Sequence, residues 1–360
     1  MLRGTFFTRL LLVGVVAAIT ATACGSTPAP STADVGSGSL TGAGATFPAP
    51  FYQKAFFDYS AKYPAVTVNY QPVGSGGGIQ QFIKKTVDFG ASDVPMAGAD
   101  ITSAGGPDAL TQIPTTLGVI SITFNISGVD KLQLDGAALA NIFLGKITKW
   151  NDSALTALNP GVTLPNKAIT VVHRSDGSGT TYHFSDYLAK VSPDWNTTVG
   201  VGKSLKWPVG IGGSGNTAVA QAVTQTDGSV GYVELAYVVS AGMKQAFLKN
   251  ANGKFVQASQ AGATAAAAAN TNVSPTNFSI TNAPGDTAYP IAGFSWVMLY
   301  TAYPDAAKGK AVVYLFKWLV STEGQKEGAD LQYAPLPTAV ANLALTNLKL
   351  VKAAGAAVLT

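Results

Sequence analysis

The chain has 360 residues, of which 47% are hydrophobic and only 12% are charged, and its formal net charge is +4. This composition argues against a disordered or fibrous protein, and the length suits one large domain or two medium-sized domains. Lys84 and Lys85 form the only adjacent pair of basic residues, so the sequence lacks the basic cluster expected of a nucleic-acid-binding surface.

Residues 1–23 have the features of a bacterial secretory signal. Arg3 and Arg9 precede an apolar run, residues 10–20, that is too short to cross a bilayer. The sequence ATAC, residues 21–24, then resembles a lipobox, in which Cys24 is lipidated and becomes the first residue of the mature protein. The alternative is an ordinary cleaved signal followed by an incidental cysteine. Cys24 is the only cysteine in the chain, so no internal disulfide is expected.

Residues 24–39 are rich in Gly, Ser, Thr, Pro and Ala, which predicts a flexible tether between a lipid on Cys24 and the folded body. Two of the three arginines precede this segment, so the mature chain carries 21 basic and 19 acidic residues and a net charge of about +2. No later segment has an uncharged apolar run of transmembrane length.

Strand and helix patterns alternate along the body. Strand patterns occupy residues 66–70, 118–126, 168–173 and 292–300, and helical patterns occupy residues 51–63, 77–85, 182–190 and 304–320. This alternation implies an α/β fold with mainly parallel sheets. The alanine-rich residues 261–272 are interpreted as a surface helix or loop.

Three glycine- and hydroxyl-rich turns each precede a predicted helix. They are TGAGATFPAP at residues 41–50, GSGGG at residues 74–78 and SDGSGTT at residues 175–181. Helix N-termini carry unsatisfied N–H groups and partial positive charge, so they attract anions. A fourth glycine motif, GIGGSG at residues 210–215, follows Pro208 and is interpreted as a loop and not as a dinucleotide-binding turn.

Arg174 is the only arginine beyond the first ten residues, and it stands beside the third turn. Its planar guanidinium matches two oxygens of an oxyanion, which predicts a ligand-binding role. The alternative is a structural salt bridge with Asp176, and both roles can hold together because a bound carboxylate would fix the plane of the guanidinium.

The sequence offers little for catalysis. No serine lies in a G-x-S-x-G motif, and the only histidines are His173 and His183. His173 could be imagined to activate Ser178, but structural roles are favoured for both histidines. With one cysteine and two histidines a zinc site is not expected, and the acidic groupings at residues 88–93 and 323–330 lack the spacing of a metal loop.

Seven runs of sequence span most of the body. They are LTGAGATFPAPFY (40–52), VNYQPVGSGGGIQQF (68–82), VDFGASDVPM (87–96), IFLGKITKWND (142–152), VVHRSDGSGTTYHFSDYL (171–188), KWPVGIGGSGN (206–216) and VGYVELAY (230–237). Together, and in this order, they resemble the phosphate-binding proteins of bacterial phosphate-specific ABC transporters.

The resemblance implies a type II periplasmic-binding-protein clamshell, with mixed, mainly parallel sheets flanked by helices. The chain would cross between the lobes twice at the hinge. The first lobe would then comprise residues 40–115 and 289–360, and the second lobe residues 116–288.

The resemblance also implies the ligand contacts. The predicted phosphate-binding residues are Thr46, Phe47, Ser75, Asp93, Arg174, Ser178, Gly179 and Thr180, with Asp176 supporting Arg174. A carboxylate such as Asp93 fits an anion site if the anion carries a proton that the carboxylate can accept, as phosphate does and sulfate at neutral pH does not. A helix cap before Pro95 is the alternative role for Asp93.

We therefore expect a monomeric phosphate receptor, lipid-anchored on the extracytoplasmic face of a bacterial cell membrane. It would deliver phosphate to the permease subunits of an ABC transporter without cofactor, metal or catalysis. Two alternatives remain open at this point: a binding protein for another oxyanion such as sulfate, and an exported phosphatase.

Overall fold

The computed structural model describes residues 33–360. The predicted signal peptide, Cys24 and the tether up to residue 32 lie outside the described residues. Within the described range, no helix has the length and apolar character needed to span a membrane.

The described residues form a mixed α/β structure. The strands are β1 (Gly38–Gly44), β2 (Val66–Pro72), β3 (Phe89–Ser92), β4 (Leu110–Asn125), β5 (Gln133–Leu134), β6 (Thr170–Arg174), β7 (Ile211–Gly213), β8 (Ser229–Glu234), β9 (Lys244–Gln245), β10 (Phe247–Lys249), β11 (Phe255–Val256), β12 (Ala292–Tyr300), β13 (Ala302–Tyr303), β14 (Lys352–Ala353) and β15 (Ala356–Ala357). The helices are α1 (Ala49–Lys62), α2 (Ser75–Ile83), α3 (Ala99–Ser103), α4 (Gly136–Phe143), α5 (Ser153–Leu158), α6 (Gly179–Val191), α7 (Pro193–Thr198), α8 (Gly215–Gln225), α9 (Leu235–Ser240), α10 (Gln260–Ala268), α11 (Ala306–Leu319), α12 (Thr322–Lys326) and α13 (Thr338–Leu348).

The main sheet has nine strands in the order β2-β1-β3-β12-β4-β8-β6-β7, with β9 also paired to β4. The outer strands pair in parallel, β1 with β2 and β3, and β6 with β7 and β8. The central strands β3, β12, β4 and β8 pair antiparallel. This arrangement follows from the chain path, because β4 runs out across the molecule and β12 runs back beside it.

The long strand β4 joins the two lobes. Its residues 110–119 pair with β12, and its residues 120–125 pair with β8, so the partner changes directly after Val119. We call β1, β2, β3 and β12 with the helices packed on them the first lobe, and β6, β7 and β8 with their helices the second lobe. The two-lobe α/β fold expected from the sequence is confirmed, whereas the predicted residue boundaries at 115/116 and 288/289 stay a prediction.

The alanine-rich segment contains a surface helix, one of its two predicted forms, and this helix has one buried face. It is α10, whose outward face includes the exposed Thr264 and whose inward face includes the fully buried Ala263 and Ala266. A Cβ atom on Gly262 would lie 2.9 Å from the Cβ of Tyr289, so the small residues allow close packing of this helix. The small residues on the inward face of α10 therefore reflect close packing against the body of the protein.

Aromatic side chains fill the cores beneath the predicted turns. In the second lobe Phe184 of α6 stacks on Tyr232 of β8 with ring centroids 4.1 Å apart. The hydroxyl of Tyr232 in turn accepts a hydrogen bond from the backbone N–H of Arg174, 3.2 Å away. The core therefore fixes the end of β6, from which Arg174 extends.

Candidate anion-binding site

Helix N-termini from both lobes meet in the cleft. Helices α1 and α2 come from the first lobe, and α6 and α8 come from the second. The N–H of Gly179 donates to Ser75 Oγ at 3.0 Å, and the N–H of Gly76 donates to the carbonyl of Gly177 at 2.8 Å. The lobes are therefore in contact, and these hydrogen bonds bring the partially positive N-termini of α2 and α6 close together.

Arg174 is 2% exposed, and three of its guanidinium N–H groups donate hydrogen bonds within the protein. Its Nε donates to Asp176 Oδ1 at 2.7 Å, its Nη2 to Asp176 Oδ2 at 2.5 Å, and its Nη1 to Thr180 Oγ1 at 3.2 Å. A guanidinium has five N–H groups, so two remain for a ligand. Burial alone would raise the pKa of Asp176, but its hydrogen bonds and ion pair with Arg174 outweigh this and lower the pKa. The carboxylate therefore stays charged and fixes the guanidinium plane.

Asp93 follows β3 and is 1% exposed. Its Oδ1 accepts a hydrogen bond from Ser295 Oγ at 2.6 Å, and its Oδ2 accepts one from Ser75 Oγ at 3.4 Å. Burial raises the pKa of Asp93 to about 7, although the bond from Ser295 and the charge of Arg174 act in the opposite direction. The cleft thus contains a hydrogen-bond acceptor that changes protonation near neutral pH.

A β-bulge holds Ser295 next to Asp93. The register between β4 and β12 shifts at Ser295, where Thr115 is an extra residue in β4. Pro114 precedes it, and proline is tolerated at a bulge because it has no N–H to donate to a neighbouring strand. The hydroxyl of Thr115 donates to the carbonyl of Ser295 at 3.2 Å. Ser295 itself is a fully buried polar residue in an otherwise apolar strand.

Thr46 and Phe47 enter the cleft from the end of β1. The turn is tight because a Cβ on Gly44 would lie 1.9 Å from the carbonyl oxygen of Ala91, so only glycine fits there. The carbonyl of Thr46 accepts a hydrogen bond from the Tyr237 hydroxyl at 2.6 Å. The backbone N–H of Phe47 donates to no other atom of residues 33–360, so it is available to an anion.

The structure brings all the predicted site residues together. All eight are buried: Thr46, Phe47, Ser75, Asp93, Arg174, Ser178, Gly179 and Thr180. A separate groove of about 530 Å³ lies beside Tyr300, Tyr303 and Lys308 and includes none of the eight site residues. The roles of the clustered residues as phosphate ligands stay a prediction.

Sequence reasoning missed Ser295 and Asn216. Asn216 Nδ2 donates to Thr46 Oγ1 at 2.9 Å and to Thr180 Oγ1 at 3.4 Å. The interpretation of residues 210–215 as a loop was wrong, because they contain β7 and the start of α8. The available signal was Gly-Ser-Gly-Asn at residues 213–216, which places glycine and a hydroxyl before a helix as the other three turns do.

Both histidines have structural surroundings, as expected. His173 stacks on Trp207 with ring centroids 4.6 Å apart, and its Nδ1 lies 3.0 Å from the carbonyl oxygen of Arg174. His183 is fully buried, and its Nε2 lies 3.0 Å from the carbonyl oxygen of Asp93. Ser178 Oγ accepts the N–H of Thr181 as the cap of α6, and neither histidine contacts it in the part of the chain that the structure describes.

Hydrogen-bond donors dominate the cleft. Arg174 keeps two N–H groups and the backbone N–H of Phe47 is unused among residues 33–360, whereas Asp93 is a buried carboxylate acceptor. Over residues 33–360 no group of three or more His, Cys, Asp or Glu side chains is arranged to hold a metal ion. The arrangement suits a small oxyanion that carries a proton, since Asp93 can accept that proton in a hydrogen bond.

Comparisons with known proteins agree with this geometry. A family model described as a PBP superfamily domain matches residues 27–323. The "Phosphate-binding protein PstS" of Xylella fastidiosa is 46% identical over 320 residues, which cover 87% of this chain and 85% of the relative. The chain belongs to the PstS family of phosphate-binding proteins.

Other PstS proteins and solved structures extend the comparison. The PstS of Haemophilus influenzae is 46% identical over 84% of this chain and 90% of its own length, and that of Methanocaldococcus jannaschii is 36% identical over 86% and 85%. A phosphate-binding protein from Stenotrophomonas maltophilia has a TM-score of 0.65 at 23% identity, covering 85% of this chain and 93% of its own. A putative phosphate ABC transporter substrate-binding protein with bound phosphate from Clostridium perfringens has a TM-score of 0.61 at 16% identity, covering 83% and 100%. These two structures support the fold.

Proposed function

We propose that this PstS-family protein is an extracytoplasmic solute-binding protein that captures inorganic phosphate between its lobes and delivers it to an ABC transporter for import. The observation that carries the proposal is the buried cluster of donors around Asp93. Arg174 offers two free N–H groups to phosphate oxygens, and Asp93 accepts the proton that phosphate still carries at neutral pH. The relatives named phosphate-binding proteins support the same ligand.

The proposed ligand contacts divide between the lobes. Thr46, Phe47, Ser75 and Asp93 belong to the first lobe, and Arg174, Ser178, Gly179 and Thr180 belong to the second. An anion bound by both sides stabilises the closed arrangement relative to an open one, which is the differential affinity that ligand-driven closure requires. The protein would act by binding and release, without turnover of the ligand.

The cellular context is part of the same proposal. The signal-like N-terminus and the lipobox-like sequence at Cys24 support a monomer anchored by lipid to the outer face of the cell membrane. In that position the closed protein can present phosphate to the permease subunits. Growth in labelled palmitate tests the anchor, because label should appear in the wild type and be lost in Cys24→Ser.

Titration calorimetry tests the ligand. The mature chain, stripped of bound anions, is titrated with phosphate and then with sulfate at pH 8, where Asp93 is a carboxylate because its pKa is about 7. We expect saturable one-to-one phosphate binding and no sulfate heat. A preference for sulfate, or no heat with either anion, would contradict the proposed ligand.

A further inference from the structure

The hydroxyl of Thr46 has both of its acceptor positions occupied by one residue. Asn216 Nδ2 donates to Thr46 Oγ1 at 2.9 Å, and the backbone N–H of Asn216 donates to the same oxygen at 3.3 Å. A hydroxyl group has two lone pairs and one hydrogen. With both lone pairs engaged, the group can interact with a further partner only by donating its hydrogen.

The hydroxyl of Thr180 likewise accepts two hydrogen bonds. Its Oγ1 accepts a hydrogen bond from Arg174 Nη1 at 3.2 Å and another from Asn216 Nδ2 at 3.4 Å. The two hydrogens of the Asn216 amide group are thus shared between one threonine of each lobe. Both threonine hydroxyls are left with their own hydrogens directed to other acceptors.

The orientation of the Asn216 amide is itself determined. Its Oδ1 accepts the backbone N–H of Glu234 at 3.1 Å. A backbone N–H can only donate, so the oxygen must face Glu234 and the NH₂ group must face the threonines. Asn216 is fully buried, so water does not compete for these positions.

We propose that Asn216 is a positioning residue whose amide fixes the hydroxyls of Thr46 and Thr180 as hydrogen-bond donors to the bound anion when the lobes close. The proposal rests on the proposed function, because it requires an oxyanion in the cleft. Asn216 lies in α8 of the second lobe, whereas Thr46 follows β1 of the first. Closure of the lobes therefore also aligns the Thr46 donor, whereas Asn216 and Thr180 belong to the same lobe.

A double-mutant cycle tests the proposal. Titration calorimetry with inorganic phosphate is performed on the mature wild type, Asn216→Ala, Thr46→Val and the double variant. Loss of aligned donors to a charged ligand should weaken binding in Asn216→Ala by about tenfold or more. In the Thr46→Val background the same substitution should cost clearly less, because its route through the Thr46 hydroxyl is gone. If the alanine variant does not fold, Asn216→Ser takes its place in the cycle.

Asn159 provides a matched control. It is also a buried asparagine, its Nδ2 donates to the carbonyls of Gln133 and Leu155, and its Oδ1 accepts the N–H of Gln133. Asn159→Ala should lower the unfolding temperature but leave the phosphate dissociation constant unchanged. Strictly additive effects of Asn216→Ala and Thr46→Val, or equal weakening by Asn159→Ala, would overturn the positioning role.

The wild-type titration separates this inference from the proposed function. If the wild type binds sulfate in place of phosphate, the proposed ligand is wrong, and the same cycle run with sulfate decides the role of Asn216. If the wild type binds neither anion, both proposals fall.

Discussion

Asp93→Asn should change which anion the cleft accepts. The substitution preserves shape, and the amide oxygen can keep the 2.6 Å hydrogen bond that Ser295 Oγ donates to Asp93 Oδ1. The amide NH₂ then replaces Oδ2 and presents a donor where the wild type presents an acceptor. Monohydrogen phosphate loses the acceptor for its O–H, whereas sulfate gains a donor.

The structure sets the size of the effect. Asp93 is 1% exposed, so water cannot replace a missing partner. A buried hydrogen bond involving a charged group contributes about 1.5–3 kcal/mol, which corresponds to roughly 10- to 150-fold in affinity. Phosphate binding should weaken by that factor and sulfate binding should strengthen by a similar one, so the phosphate-to-sulfate ratio should fall by at least about 100-fold.

The assay is titration calorimetry of wild type and Asp93→Asn with phosphate and sulfate at pH 8, and again at pH 5.5. Burial raises the pKa of Asp93 to about 7, so the wild-type side chain is a carboxylate at pH 8 and a neutral acid that can donate at pH 5.5. Wild-type sulfate binding should therefore appear on acidification, whereas that of the variant should change little.

Asp88→Asn serves as the control. Asp88 lies five residues earlier, and it accepts the backbone N–H of Thr41 at 2.8 Å and pairs with Lys308 outside the cleft. It should leave anion selectivity unchanged. Sulfate that stays silent in Asp93→Asn while phosphate binds within a few fold of wild type would refute the reasoning.

Three further predictions concern neighbouring residues. Arg174→Lys replaces the fork held by Asp176 with a single ammonium and should weaken phosphate binding about 100-fold or more by calorimetry; a loss below tenfold would contradict it. Gly179→Ala places a Cβ 2.4 Å from the Cβ of Asp93 across the cleft. It should block closure, so small-angle scattering should show no compaction with phosphate, and compaction like that of the wild type would contradict this steric argument. Burial raises the pKa of Glu234 well above its usual value, so its contribution to stability is present at acid pH and lost as pH rises. Urea unfolding should then show Glu234→Gln gaining stability over wild type between pH 5 and pH 8, and parallel pH profiles would count against this.

Local sequence patterns predicted the parts of the site that each lie within one turn. The glycines and hydroxyls of residues 175–181 and the isolated Arg174 indicate an anion site without knowledge of the fold, because helix N-termini and guanidinium groups have the same chemistry in any protein. The hydrogen bond between Arg174 and Asp176 joins residues only two positions apart in the sequence, so it could also be anticipated. Alternating patterns likewise predicted the α/β class.

The site residues that sequence reasoning missed depend on contacts between distant parts of the chain. Ser295 reaches Asp93 across 202 residues of sequence through a bulge whose extra residue, Thr115, lies in another strand. Asn216 reaches Thr46 across 170 residues, and only when two lobes are in contact. The hydrophobic periodicity of a single segment contains no information about such long-range contacts. Composition predicted a surface helix or loop around α10 but not its buried face, because alanine suits an exposed position and a tight interior contact equally well.

The change of partner along β4 has a thermodynamic consequence for closure. Pairing passes from β12 to β8 between Val119 and Ile120, without an intervening loop. A crossing made of a continuously paired strand has few dihedral angles to order when the lobes meet, so it loses little conformational entropy, which for a loop would be about 1–2 kcal/mol per residue fixed. Ordering this crossing therefore subtracts little from the free energy gained through the anion contacts.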